Sequence, residues 1–239
     1  MTRRNEFGQP IGDPTGDITA RRPEPTSLAG RTCRLDPLRA EDAAGLLADL
    51  QAGAGDEQWT YMSYGPCRTV AEEETVIRGL VQDGDVVPFV IRDRSGAPIG
   101  TASYLRINPP GGTIEVGHIM YGAGARRAAP ATEAMYLLAR HVFDDLGYRR
   151  YEWKCDALNA GSRAAAERLG FTFEGVWRKA LAYKGRNRDT AWYAMTDDDW
   201  ARLRPAYESW LAGLDEHGRQ SAPLACREAP VGTTAGRTS

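Results

Sequence analysis

The chain has 239 residues, 42% hydrophobic and 26% charged, a length and balance that suit one well-buried core. Thirty basic residues nearly offset thirty-two acidic ones, so the net charge of -2 offers no global field for nucleic acid or an anionic membrane. Four scattered cysteines (Cys33, Cys67, Cys155, Cys226) and three histidines (His118, His141, His217) show neither metal-ligand spacing nor a disulfide framework, and no run approaches the roughly 20 apolar residues of a membrane span.

Residues 1–27 are rich in breakers (Pro10, Pro14, Pro23, Pro25) and poor in apolar groups, which predicts a mobile tail. The first strand is expected over 31–38. A helix over 40–51 follows, with Ala43, Leu46, Leu47 and Leu50 on one face. After a loop holding Trp59, Tyr61, Tyr64 and Pro66, Thr69 and Glu72 form a capping box for a helix over 69–81. Strands over 86–92 and 98–107 flank the turn Asp93-Arg94-Ser95-Gly96, and a further strand over 113–121 follows Pro109-Pro110-Gly111-Gly112. The longest helix spans 130–146: Pro130 suits its first turn, Ala134, Leu137, Leu138 and Val142 form its apolar face, and Gly147 ends it. A strand over 151–156 leads to a short helix that Asn159 caps and Gly170 closes. Strands over 171–183 and 190–195 flank Lys184-Gly185-Arg186-Asn187. Thr196 then caps a last helix carrying Trp200, Leu203 and Trp210 despite Pro205. Residues 214–239 are again polar and are expected to form a second tail, leaving 28–213 as the domain.

Four stretches stand out in this order: 115–121, then 126–134 (RRAAPATEA), then Asn159-Ala160-Gly161-Ser162 leading to Leu169-Gly170-Phe171, then 185–190 (GRNRDT). Together they resemble the GNAT superfamily, and within it the ribosomal-protein-alanine N-acetyltransferases, over residues 31–212. The resemblance implies an α/β fold with a splayed mixed sheet and helices on both faces. It implies transfer of an acetyl group from acetyl-CoA to an amine, with family precedent for a homodimer, and the polar N-terminus and lack of a membrane span lead to the expectation of a cytoplasmic enzyme. It also implies that Ile119, Met120 and Tyr121 hold the arm of acetyl-CoA. The family's pyrophosphate loop, Gln/Arg-x-x-Gly-x-Gly/Ala, falls on Arg126, Arg127, Ala128, Ala129, Pro130 and Ala131, and Thr132 just after it is a further candidate contact to the cofactor. Here Ala129 replaces a glycine and Pro130 removes a donor, although three alanines keep the approach to the backbone open. Asn159 matches a contact to the CoA arm, and Ser162 a proposed acid toward the departing thiolate; both also suit plain helix capping. A tyrosine carried by many relatives is Ala166 here, and a glutamate of the ribosomal-alanine branch falls near Leu181.

The chemistry sets further requirements. An amine attacks a thioester only when unprotonated, so a carboxylate or imidazole must take its proton, and a backbone donor must face the carbonyl oxygen as charge builds on it. Glu115, which matches the acidic residue of the family's fourth strand, is the candidate base. His118 lies on the opposite face of a regular strand, but a bulge, which Gly117 would permit, brings the two together. Trp59, Tyr61 and Tyr64 are candidates to frame the acceptor, a small amine or a peptide N-terminus. The altered loop leaves two alternatives open: a non-catalytic acyl-CoA-binding module, or an enzyme using another acyl-CoA.

Overall fold

A computed structural model of the chain describes residues 3–53, 55–126 and 128–226. Ahead of the domain lie a two-strand ribbon, β1 (Arg3–Arg4) and β2 (Pro10–Ile11), and a short strand β3 (Leu28–Ala29). The domain then runs β4 (Cys33–Pro37), α1 (Ala43–Gly53), α2 (Val70–Gln82), β5 (Val87–Asp93), β6 (Pro98–Asn108), β7 (Thr113–Tyr121), α3 (Ala129–Arg140), β8 (Arg150–Asp156), α4 (Ala160–Arg168), β9 (Thr172–Tyr183), β10 (Arg186–Thr196) and α5 (Asp197–Ala212). From β4 onward this is the expected order. The capping boxes at Thr69 and Thr196 and the Asn159 cap all form, because each side-chain oxygen meets an N–H that the helix itself leaves open.

One sheet of eight strands organises the core, in the order β3-β4-β5-β6-β7-β8-β10-β9. All its neighbours are antiparallel except β7 and β8, which run parallel. That parallel pairing extends only from Thr113 opposite Arg150 to Val116 opposite Trp153. Beyond it the two strands part: β7 stays with β6, and β8 stays with β10 through Asp156. A gap in mid-sheet is the result, and among the described residues its edge on β7 has no strand partner from Gly117 to Tyr121. On one side of the sheet, α3, the turn after it and α5 bury an aromatic cluster in which Phe143 stacks on Trp200 at 5.7 Å and Tyr136 leans against Tyr207 at 5.6 Å.

Three details depart from expectation. The long helix changes pitch after Arg140, and a π turn occupies His141–Asp145. Beside the change, the Tyr104 hydroxyl donates to the Leu138 carbonyl at 2.9 Å, offering that oxygen a partner from outside the helix. The segment before residue 28 lies along the domain: Pro23 is buried, Ala20 packs against the core, and the Arg21 N–H donates to the Leu146 carbonyl at 3.0 Å. After α5, Leu214, Leu224 and Cys226 are buried, and Trp210 Nε1 donates to the Ala222 carbonyl at 3.0 Å. A few apolar groups in each polar segment suffice to seat it. Residues 227–239, the rest of the expected second tail, lie outside the described residues.

The start of β4 is tied to α3 by one carboxylate. Glu133 is buried, and its oxygens accept from the N–H groups of Arg31 at 2.6 Å and Cys33 at 3.2 Å and from both the N–H and the hydroxyl of Thr32. Burial, with Glu133 adding to it, pushes the Cys33 thiol far above its ordinary range. Glu133→Gln keeps the shape but turns a donor toward these donors, and is expected to cost about 2 kcal/mol, measured by urea denaturation.

Candidate active site

The gap between β7 and β8 opens into a cavity of about 500 Å³. Its walls come from β6, β7, β8, α4, the β9–β10 hairpin and the loop before α2. Glu115, His118, Ile119, Tyr61, Asn159 and Ser162 all line it, so the structure brings six sequence-predicted residues to one place.

Two β-bulges, on neighbouring strands, shape the β6–β7 wall of the cavity. On β7, Gly117 pairs with Ser103 and Met120 with Thr101, so one extra residue is accommodated between them. The left-handed backbone belongs to His118 (φ 49°) and not to Gly117, a correction to the expected placement, though the outcome is the same: Glu115 and His118 face one cavity. On β6 the extra residue is Arg106 (φ 48°), whose guanidinium reaches Glu115 Oε1 at 2.9 Å.

Glu115 sits at the centre of a buried charge cluster. Its Oε2 lies 2.8 Å from Lys154 Nζ, and the same ammonium lies 2.7 Å from Glu152. The side chains of Lys154 and Glu115 are 6% and 4% exposed, so water screens this contact weakly. Lys154 also stands 3.7 Å over the Trp192 ring, its register partner on β10. Burial raises the Glu115 carboxyl above its ordinary range, against the pull of Lys154 and Arg106. For Glu152 burial acts the same way, but Lys154 and Arg150 outweigh it and hold the group below its usual value. Burial, with Arg106 adding to it, lowers His118 below the usual imidazole range, and its Nδ1 is buried with no hydrogen-bond partner. Near neutral pH the imidazole is therefore uncharged. A carboxylate made more basic and a neutral imidazole are both able to accept a proton.

On the α4 side, Asn159 accepts from the Ser162 N–H at 3.0 Å, the expected cap. Ser162 Oγ accepts from Trp153 Nε1 at 2.9 Å, and its own proton lies within reach of the buried Cys155 thiol, which also lines the cavity. Of the remaining β7 residues, Met120 packs with Leu50 and Trp59, and the Tyr121 hydroxyl donates to the Ala131 carbonyl at 3.2 Å. Only the main chain of these two is available at the open strand edge.

The start of α3 is narrower as a donor set than the motif implied. The Ala128 N–H bonds the Ala125 carbonyl at 3.3 Å, and Pro130 has none to give. The open donors of the first turn reduce to those of Ala129 and Ala131. Thr132 is buried, with its hydroxyl accepting from Arg168 at 3.1 Å, so its side chain is engaged elsewhere. Arg126 is exposed and donates to the Tyr121 carbonyl and to Gln58, both at 3.2 Å. Arg127 lies outside the described residues. The turn that precedes the helix hugs α1: a side chain at Gly122 would meet the Asp49 carboxylate and, at 2.8 Å, the Asp49 main chain, which cannot give way as a side chain could, so only glycine fits there.

The aromatic loop divides. Tyr61 lines the cavity and its hydroxyl donates to the Leu158 carbonyl at 3.1 Å. Trp59 is instead buried with Leu50 and Met120, and the Tyr64 hydroxyl points at Met120 Sδ from 3.2 Å, so these two hold the loop down from beneath. Lys184 and Arg186 of the hairpin clasp the loop through the carbonyls of Trp59 and Thr60, at 2.6 and 2.9 Å.

Residues the sequence reading passed over carry much of the site: Arg106, Lys154, Trp192, Trp177 and Glu152. A signal was present. Glu152, Lys154 and Asp156 alternate along a strand that the topology places in mid-sheet, where a charged face must be paired or serve chemistry.

Comparison with known proteins bears on the fold and the family. Residues 33–172 match an acetyltransferase (GNAT) domain. The crystal structure of a GCN5-related N-acetyltransferase from Brucella melitensis is 39% identical, with 87% of this chain and 96% of that one covered and a TM-score of 0.83. YdaF of Bacillus subtilis (strain 168), whose name proposes a ribosomal N-acetyltransferase, is 25% identical over 170 residues, 70% of this chain and 90% of that protein. A Salmonella typhimurium acetyltransferase that modifies the N-terminal serine of ribosomal protein L7/L12 shares the fold at 19% identity, with 72% of this chain and 99% of that one covered and a TM-score of 0.62. The chain belongs to the GNAT acetyltransferase family, whose members are N-acetyltransferases that use acetyl-CoA. Among the described residues no helix is long and apolar enough to cross a membrane, and no group of three or more His, Cys, Asp or Glu is placed to hold a metal.

Proposed function

We propose that this chain transfers an acetyl group from acetyl-CoA to a primary amine, with Glu115 taking the proton of the attacking nitrogen. The observation that carries the reading is a nearly buried carboxylate, made more basic by burial, facing a cavity at the point where β7 and β8 part. Acetyl-CoA supplies the activated acyl group as a thioester. The residues present suit it: the unpaired edge of β7 from Gly117 to Tyr121 offers main-chain groups to the amides of its arm, and Asn159 stands on the opposite wall. Ala129, Ala131 and Arg126 offer donors and charge to its diphosphate. The Ser162 hydroxyl is the group to protonate the departing sulfur. His118 is the second base, acting directly or through water.

Among acceptors, a protein N-terminal α-amine, an aminoacyl group or a small amino compound, the α-amine suits this site best. Its pKa near 8 leaves it partly neutral at a cytoplasmic pH, whereas a lysine near 10.4 is mostly charged. The name of the curated relative, a ribosomal N-acetyltransferase, suits a protein acceptor. Incubating the protein with acetyl-CoA and a panel of amines, with thiol release as readout, tests the reading. Release with no acceptor of the panel, despite CoA binding, would refute it.

Arg126→Glu is expected to weaken CoA binding roughly tenfold by placing a like charge beside the diphosphate, as calorimetry would measure. An unchanged affinity would remove Arg126 from the binding surface.

A further inference from the structure

The cavity contains a cation that the reaction above does not use. Arg188, on β10, lines the wall, and its Nε is buried with no hydrogen-bond partner. Its guanidinium lies 5.9 Å from the centre of the Tyr183 ring, and among the described residues no carboxylate comes within ion-pair distance of it. The acids nearby are engaged elsewhere. Asp189 accepts from the Lys179 N–H at 2.7 Å and from Asn187 at 2.9 Å. Asp156 accepts from the Tyr183 hydroxyl at 2.8 Å and the Leu158 N–H at 2.9 Å. Glu115 and Glu152 share Lys154.

Two neutral donors accompany Arg188. Thr190 Oγ1 and Trp192 Nε1 are buried, unpartnered, and follow at two-residue spacing on the same strand, and both residues line the cavity. Leaving such groups unmatched is costly, so a wall with three of them is suited to an acceptor of hydrogen bonds, and a guanidinium among them selects a negative one. One cation with two neutral donors balances a single charge, which favours a carboxylate over a phosphate dianion. The location assigns this wall to the amine and not to CoA. Trp192 is the register partner of Lys154, which touches Glu115, so the donors share a sheet face with the base. Trp177, packed on Trp192 at 4.1 Å and 59% exposed, adds an apolar shelf beside them.

We propose that Arg188, Thr190 and Trp192 form an acceptor subsite that reads a carboxylate on the amine-bearing residue or the one after it. The proposal rests on the amine-acetylation reading, and the test separates the two. Four amidated tripeptides serve as probes: Asp-Ala-Ala and Asn-Ala-Ala, Ala-Asp-Ala and Ala-Asn-Ala. Their binding to the CoA-saturated protein is measured by calorimetry, and thiol release is followed in parallel with acetyl-CoA. At least one aspartate peptide is expected to bind roughly tenfold more tightly than its asparagine twin. Arg188→Gln should bring that ratio close to one, and Arg188→Lys should keep part of it. Equal affinities within both pairs, or a preference that Arg188→Gln leaves intact, overturn the subsite. A carboxylate preference in binding without any thiol release supports the subsite and counts against acetyl transfer.

Discussion

Glu115→Gln is expected to lower kcat by about 10²- to 10⁴-fold, the usual contribution of a positioned base. Glutamine keeps the volume and one acceptor oxygen but cannot take a proton. The surroundings tolerate the change: Lys154 retains Glu152 at 2.7 Å, and the Arg106 side chain, 53% exposed, turns to water. Affinity for CoA, which rests on the β7 edge and the start of α3, should be untouched in calorimetry. The pH profile identifies the proton acceptor. Because burial raises Glu115 above the ordinary carboxylate range, the wild-type acid limb of kcat/KM should lie above that range and vanish in the variant. If the limb persists and kcat falls less than tenfold, His118 is the base and Glu115 only orients it.

The legible part of this protein was what local chemistry dictates. Thr69, Thr196 and Asn159 cap helices wherever such side chains precede an apolar face, and the order of elements from β4 onward follows from period and punctuation. Lys184-Gly185 turns the last hairpin with both residues at positive φ (49° and 69°), the two-residue geometry that suits the strand twist. The illegible part depends on register. The β7 bulge was signalled by Gly117, although the left-handed residue proved to be His118, whereas nothing in the sequence marks Arg106, and the β6 bulge arises where neighbouring strands fall out of step. Those same bulges aim Arg106 and His118 at the cavity. Likewise Lys154 reads as one more charge until β10 places Trp192 beneath it and β7 places Glu115 beside it. The stretch over 126–131 was legible as the start of a helix but not in its donors: the Ala128 N–H is taken by the Ala125 carbonyl, and Pro130 has none to give.

Lys154→Met should then be the most destabilising change at the site, by up to about 3 kcal/mol at neutral pH, because two carboxylates lose the cation they share and keep only Arg106 and Arg150 as partners. Methionine preserves the apolar contact with Trp192, so the loss reports charge and not packing. Its pH dependence has a definite sign. Burial already raises the Glu115 carboxyl in the folded state, and removing Lys154 takes away the larger opposing pull, raising it further. A group bound more tightly to its proton in the folded state stabilises the protein below its unfolded pKa. That benefit is lost as pH rises through the folded value. The variant should therefore recover part of its deficit between neutral pH and the ordinary carboxylate range, measured by urea denaturation at a series of pH values. Its acid limb in kcat/KM should also move to higher pH than in the wild type. A deficit independent of pH would mean that Lys154 acts through shape and not through Glu115. In that case the ammonium would not set the basicity that deprotonation of the amine requires.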